Sequence, residues 1–336
     1  MNILVTGGAG YIGSHVVQEL YNNHNIIIYD DLSKGHKESL PKNIKFIQAN
    51  LSETEKLDQV FQKYKIDSVI HLASFIEVNE SVNDPKKYFE NNVLNGLNLL
   101  NSMIKNNVKK IIYSSSAGIY GNPKKIPIDE DSETIPNNPY GLTKLMFEQI
   151  LKKYNQTYNL NSVSLRYFNA AGAHISSEIG EDHKPESHLI PLVLQTALNL
   201  RPAIKIFGTD YQTKDGTAIR DYIHVTDLAH AHILALDNLE NNEGYFYYNL
   251  GNEQGFSVKE IIDITSDITN IEIPIEKTDR RLGDPAILIA SSKKIKQELK
   301  WKPKYNDIKI IIKTAWQWHQ QNPNGYSSNK FSTILA

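Results

Sequence analysis

The 336-residue chain predicts an α/β fold: a doubly wound parallel sheet with helices on both faces, then a smaller mixed α/β region. Three observations predict it. Short apolar runs recur along the first half, each followed by a helical pattern, and such βα alternation builds a parallel sheet. Val69-Ile70-His71-Leu72-Ala73 and Lys110-Ile111-Ile112-Tyr113 are nearly continuous apolar runs, as strands covered on both faces are. The first run, Ile3-Leu4-Val5, ends in a turn that carries Gly7, Gly10 and Gly13.

That glycine turn justifies the first elements. Ile12, Val16, Val17 and Leu20 follow it at helical spacing, and Ile26-Ile27-Ile28-Tyr29 is the next strand, closed by Asp30-Asp31. Strand, glycine turn, helix and strand form the βαβ unit of a Rossmann-type dinucleotide fold. Gly7 allows the tight turn, Gly10 lets backbone approach a pyrophosphate, and Gly13 lets helix pack on strand. The helix N-terminus then turns unpaired N–H groups and a positive dipole end toward the phosphates. Asp30 closes the second strand, where a carboxylate can accept both hydroxyls of the adenosine ribose and repels a 2′-phosphate. This favours NAD over NADP.

The later elements follow the same logic. Lys45-Phe46-Ile47 is a short strand, and Tyr88 to Ile104 has helical spacing through Val93, Leu97 and Leu100. The Lys110 strand runs into Ser114-Ser115-Ser116, and Ser162-Val163-Ser164-Leu165-Arg166 is another strand. Ligands of such sheets bind beyond the carboxyl ends of the strands, so Ser116 and the segment after Leu165 face the same crevice as the glycine turn. Beyond Asn169 the alternation breaks down, with Pro191, Pro202, Pro274, Pro285 and Pro303 as punctuation.

Between the last two strands lies Pro139-Tyr140-Gly141-Leu142-Thr143-Lys144. Asn137-Asn138-Pro139 is helix-start punctuation, and Leu142 to Tyr154 is amphipathic. Tyr140 and Lys144 therefore share one helical face. A phenol titrates near ~10, too high for a base at neutral pH, and a nearby ammonium pulls it down. Tuned so, Tyr140 could take a proton from a hydroxyl and return it. The same spacing recurs at Tyr120/Lys124, Tyr305/Lys309 and Tyr326/Lys330. Pro123 argues against a helix in the first of these; the other two lie away from any further signal.

Composition narrows the function. Lys and Arg total 36 against 38 Asp and Glu, a net charge of −2, without a basic stripe for nucleic acid. There is no cysteine, hence no disulfide, thiolate metal site or cysteine nucleophile. His230 and His232 point different ways on a helix, and no metal is expected. The start lacks the pattern of a signal peptide and no apolar run suits a membrane helix, so a cytoplasmic location is expected.

Taken in order, Gly7-x-x-Gly10-x-x-Gly13, Ser114-Ser115-Ser116, Tyr140-x-x-x-Lys144 and Arg166-Tyr167-Phe168-Asn169 make the chain resemble the extended short-chain dehydrogenase/reductases. Gly208-Thr209-Asp210-Tyr211, Arg220-Asp221-Tyr222-Ile223-His224-Val225 and Arg280-Arg281-Leu282-Gly283-Asp284 resemble the members that epimerise UDP-hexoses at C4. The resemblance runs from Met1 to about His319. It implies interconversion of UDP-glucose and UDP-galactose through transient oxidation at C4 by NAD. Tyr140 would be the base, Lys144 would hold the nicotinamide ribose and acidify the phenol, and Ser116 would share the sugar oxygen.

The other roles come from the same resemblance. Tyr11 and Ile12 would offer backbone N–H groups to the pyrophosphate. Asn50, Leu51, Leu72, Ala73, Asn91 and Tyr167 would contact the cofactor. Asn169, Arg220 and Arg281 would hold the substrate diphosphate, His188, Leu189 and Phe207 would surround the uracil, and Asp284 would bind the uridine ribose. Leu288 would stand beside the sugar C2 group, where many relatives carry tyrosine, and would open the pocket to UDP-N-acetylhexosamines. The helices Tyr88–Ile104 and Leu142–Tyr154 would pair a homodimer. On this reading residues 1–168 are a NAD-binding domain, 169–321 a UDP-sugar region with some segments returning to the first, and 322–336 a frayed tail.

The chain also departs from the common pattern. Ile76 replaces a cofactor-contacting lysine, Gly118 a threonine, and Asn50 an aspartate. A 4,6-dehydratase would need an acid pair after Ser116, where Ala117 and Gly118 stand. Another NAD-dependent nucleotide-sugar epimerase or dehydrogenase of the same family and a non-enzymatic NAD-binding regulator are the remaining alternatives.

Overall fold

The computed structural model describes residues 1–281 and 283–326. Its strands are β1 (Asn2–Thr6), β2 (Asn25–Asp30), β3 (Lys45–Gln48), β4 (Ser68–His71), β5 (Lys110–Ser116), β6 (Asn161–Tyr167), β7 (Asn169–Ala171), β8 (Ile204–Phe207), β9 (Ile219–His224), β10 (Tyr245–Leu250), β11 (Gly255–Ser257), β12 (Ile275–Thr278) and β13 (Ile287–Leu288). Its α-helices are α1 (Tyr11–Leu20), α2 (Thr54–Tyr64), α3 (Val78–Asn83), α4 (Pro85–Tyr88), α5 (Asn95–Lys105), α6 (Pro139–Tyr158), α7 (Leu189–Ala197), α8 (Val225–Asn241), α9 (Val258–Thr269), α10 (Lys293–Glu298) and α11 (Ile308–Gln321).

A seven-stranded sheet, ordered β10-β6-β5-β4-β1-β2-β3 and parallel throughout, organises the molecule. The chain reverses direction across the sheet between β1 and β4, the crevice position of a doubly wound fold. Registers align the carboxyl ends: Thr6 lies opposite Tyr29 and His71, and Ser116 opposite Tyr167. Each face is covered by an apolar layer. Val16, Val17 and Leu20 of α1 with Leu228, Ala235 and Leu236 of α8 cover one face. Leu57 and Phe61 of α2, Leu99 and Met103 of α5, and Phe147 and Leu151 of α6 cover the other. Double coverage is why the strands are apolar without alternation.

Residues beyond 169 serve both parts of the molecule. Helix α8 packs beside α1, and β10 extends the main sheet from β6. The remainder builds smaller sheets, β11-β9-β13 with β7 on β9, and β12-β8, packed with α7, α9 and α11.

Two local expectations are corrected. The helical stretch Tyr88–Ile104 is not uniform, because a π-helical segment, Phe89–Leu94, precedes α5. It turns Asn92 inward, where Oδ1 accepts from Phe75 N at 2.8 Å and Nδ2 donates to Phe75 O at 3.0 Å and Thr143 Oγ1 at 3.1 Å. Within residues 322–326, assigned to a frayed tail, Asn322, Gly325 and Tyr326 are buried and Pro323 and Asn324 are exposed. Tyr326 is buried against Trp318, accepts from Gly180 N at 3.0 Å and donates through its own N to Asp182 at 3.0 Å. The rest of that tail lies outside the described residues. Among the described residues no helix is long and apolar enough to cross a membrane.

Candidate active site

The glycine turn is built for close approach. Gly7 has φ +73°, and a Cβ there would lie 2.5 Å from Ala73 N. A Cβ on Gly13 would lie 2.2 Å from the Gly7 carbonyl oxygen. Gly10 caps α1 without a side chain, so the first N–H groups of the helix face the crevice bare. Asp30 stands at the end of β2, buried, and accepts from Ala9 N at 2.9 Å and Leu32 N at 2.8 Å. Burial raises its pKa, and these two backbone bonds pull it back.

Gly7, Gly10, Asp30, Asn50, Leu51, Leu72, Ala73 and Asn91 line one small cavity of about 100 Å³. The Asn50 side chain is a neutral amide that donates to Asp31 at 2.7 Å. The residues present fit a dinucleotide: a bare helix N-terminus, a cradle that a Cβ would fill, and an acid at the second strand end.

This cavity adjoins a crevice of about 710 Å³ that Tyr11, Ile12 and Gly13 of α1, Ser116 of β5, Tyr140 of α6 and Tyr167 of β6 line. From the smaller sheets and α7 come Asn169, His188, Leu189, Phe207, Arg220, Arg281, Asp284 and Leu288. The structure thus brings the sequence-selected residues to two adjoining spaces, with Lys144 buried just behind the wall.

Asn138 caps α6 by accepting from Gly141 N at 2.8 Å, with Pro139 in its first turn. Lys144, 1 % exposed, donates to Ser74 Oγ at 2.7 Å and to the Ser114 carbonyl at 2.8 Å. Its Nζ lies 5.8 Å from the Tyr140 ring centroid. Burial lowers the lysine pKa to about 7. Ser116 closes β5, and its Oγ accepts from Gly118 N at 3.0 Å.

Lys144 is not among the groups that lower the Tyr140 pKa here. Burial raises the phenol pKa, a hydrogen bond with Ser116 is what lowers it, and Glu77 raises it further. The ammonium is committed to neutral oxygens, and burial disfavours its own charge. Tyr167 lines the crevice, while its hydroxyl pairs with His232 Nε2 at 2.6 Å.

On the opposite wall Arg220 donates to Asp284 at 2.5 Å, so the two sequence-selected groups partner each other. The Arg281 guanidinium lies 4.0 Å from the Phe207 ring centroid, with a buried Nε that has no hydrogen-bond partner among the described residues. Asn169 Nδ2 donates to Asp221 O at 2.9 Å. Leu288 faces the crevice and also packs beside Ala117, Tyr120 and Phe168.

Sequence reasoning missed several contributors. Ser74 is the hydroxyl partner of Lys144, and its place just past β4 was the available signal. Glu77 faces the crevice near Tyr140. Glu181, His183 and Glu186 also line it. Burial alone would lower His183, but the Glu181 and Glu186 carboxylates outweigh it and hold it at about 9.

Comparison with known proteins gives concordant results. The sequence profile of the NAD dependent epimerase/dehydratase family matches residues 3–251. The UDP-glucose 4-epimerase of Halalkalibacterium halodurans is 50% identical over 329 residues, 98% of each chain. The crystal structure of UDP-glucose 4-epimerase from Bifidobacterium longum in complex with NAD+ and UDP is similar at TM-score 0.93 and 39% identity, covering 97% of this chain and 100% of that one. The UDP-Glc/GlcNAc 4-epimerase of Campylobacter jejuni is similar at TM-score 0.83 and 40% identity, covering 95% and 99%.

Proposed function

The chain belongs to the NAD dependent epimerase/dehydratase family, and we infer that it works there as a UDP-glucose 4-epimerase. It interconverts UDP-glucose and UDP-galactose with NAD as cofactor. The observation that carries this is one crevice in which the glycine cradle, Ser116, Tyr140 and a wall of arginines converge.

NAD, held by the glycine turn and Asp30, would supply reversible hydride acceptance from sugar C4. Tyr140 takes the proton of the 4-hydroxyl and later returns it, with Ser116 holding the same oxygen. An ammonium has three donors, and Lys144 spends two of them on Ser74 and Ser114. The third is assigned to the nicotinamide ribose. Asp30 is assigned to the adenosine ribose. Arg220 and Arg281 are assigned to the diphosphate, where a planar guanidinium suits paired oxygens. Both arginines line the crevice, which supports that role. Asn169 joins them there, His188, Leu189 and Phe207 flank the uracil, and Asp284 takes the uridine ribose.

The test is turnover in Tyr140→Phe. It should fall at least ~10²-fold, the low end for losing a general acid–base group, with NAD still bound. Near-normal turnover rejects the assignment. Net NADH release by the wild type would favour a dehydrogenase.

Leu288 supports a wider substrate range. It lines the crevice and is smaller than tyrosine, so a sugar bound with C2 beside it would have room for an N-acetyl group. The Campylobacter jejuni relative, by name, acts on UDP-Glc and GlcNAc forms. UDP-N-acetylhexosamines should therefore be substrates, and Leu288→Tyr should lower kcat/KM for UDP-N-acetylgalactosamine relative to UDP-galactose. An unchanged ratio removes Leu288 from the role.

A homodimer through the α5 and α6 region is part of the same reading. Exposed Leu94 and Leu142 on that surface support it, and a monomer at micromolar concentration in sedimentation would exclude it. A cytoplasmic location completes the reading, and cell fractionation checks it.

A further inference from the structure

We propose that Glu181, His183, Glu186 and His188 form a site for one divalent transition-metal ion of the zinc class, held by two imidazole nitrogens and two carboxylate oxygens. The four side chains converge from the loop before α7, and their ligand atoms all lie within 4.8 Å of one another. The four imidazole-to-carboxylate separations are 2.9, 3.1, 3.3 and 3.7 Å. In a tetrahedral site with metal–ligand distances of ~2.1 Å, ligand atoms sit ~3.4 Å apart, in the middle of that range.

Two further features point to a ligand. The Glu181 and Glu186 side chains are 4 % exposed and that of His183 is 9 %, so three of the four donors are withdrawn from water, while His188, 41 % exposed, stands on the open side of the cluster. Glu181 Oε1 and His183 Nδ1 are buried in ion-pairing range yet without an aligned hydrogen bond. Such atoms cost free energy that an ion between them would recover. The donor set selects the ion. Imidazole argues against magnesium and calcium, which take oxygen, and the lack of thiolate argues against copper(I).

The loop is already braced from outside. Asp182, between Glu181 and His183, turns away to His36 at 3.3 Å and accepts from Tyr326 N at 3.0 Å. With four protein ligands the ion would be structural. It would pin the loop to the first turn of α7, where His188 and Leu189 form one wall of the crevice.

The test begins with holoenzyme stripped by chelator. Cobalt(II) titration should give intense tetrahedral visible bands saturating at one ion per chain, and zinc should raise Tm. Glu181→Gln and His183→Gln should each weaken cobalt binding by ~10²-fold or more, beyond the loss of an outer-shell partner. Should either variant fail to fold, anomalous diffraction from zinc-soaked wild-type crystals decides the matter, with the peak expected among the four side chains. A flat wild-type titration, binding indifferent to both substitutions, or a zinc peak elsewhere overturns the proposal. In that case the tetrad is held by protons alone.

Discussion

Helix α6 buries two charges one turn apart, Lys144 and Glu148, and surrounds them differently. Lys144 meets two neutral oxygens, the Ser74 hydroxyl and the Ser114 carbonyl. Glu148 receives Arg166 through both oxygens, Nε at 3.0 Å and Nη2 at 2.7 Å, with the Ser115 hydroxyl at 2.5 Å and Tyr245 at 3.2 Å. Burial alone would lower the Arg166 pKa, but Glu148 outweighs it and raises it. The lysine, without a counter-charge, drops to about 7. A buried charge with an opposite partner is fixed in one state; one with neutral partners stays poised between two. The first braces β5, β6 and α6 behind the crevice, and the second lies buried just behind its wall, one helical turn from Tyr140.

Breaking the braced pair should have the largest effect. Glu148→Gln leaves the Arg166 guanidinium buried without its counter-ion and should cost about 3–5 kcal/mol in denaturant unfolding. Glu148→Gln with Arg166→Met should recover much of that loss, because the uncompensated charge is gone. A single variant as stable as wild type would mean the pair does not brace the site.

The poised charge should respond in the opposite sense. Lys144→Met removes a buried ammonium without orphaning a charge, so stability at neutral pH should hold or rise while turnover falls by ~10-fold or more. A loss of stability together with intact turnover would reverse the assignment of the two charges.

A smaller effect lies in the pH dependence of stability. Lysine in an unfolded chain titrates near ~10.4, and Lys144 in the folded chain at about 7. Between these values the unfolded state holds the extra proton, so Lys144 makes stability rise with pH across that window, and its penalty is full below about 7. Lys144→Met should therefore show a flatter rise than wild type from pH 7 upward. Equal slopes would count against a displaced lysine.

The comparison also shows what sequence can carry. The βαβ unit was legible because each cue is local: the Ile3–Val5 run, the spaced glycines and Asp30 at the next strand end. The α6 start was legible from Asn138-Pro139, and the observed cap confirms it. The Tyr140/Lys144 face followed from helical spacing. The environment of that face was not legible, since Ser74 and Ser114 approach Lys144 from two other strand ends. For the same reason the burial that raises the Tyr140 pKa was not legible: spacing places an ammonium nearby but says nothing of burial. Arg166 looked like the last residue of a strand, and only the fold lays it against Glu148. Tyr326 looked like part of a polar tail because its contacts, Gly180 and Asp182, lie far back in the chain.

The most direct measurement is the titration of Lys144 itself. Protein carrying ¹³Cε-labelled lysine is followed by NMR across pH, with Lys144→Met assigning the signal. The account predicts one lysine with a midpoint near 7 that disappears in the variant. If every lysine titrates near ~10.4, the value of an unperturbed side chain, the claim that neutral partners leave this charge poised is wrong.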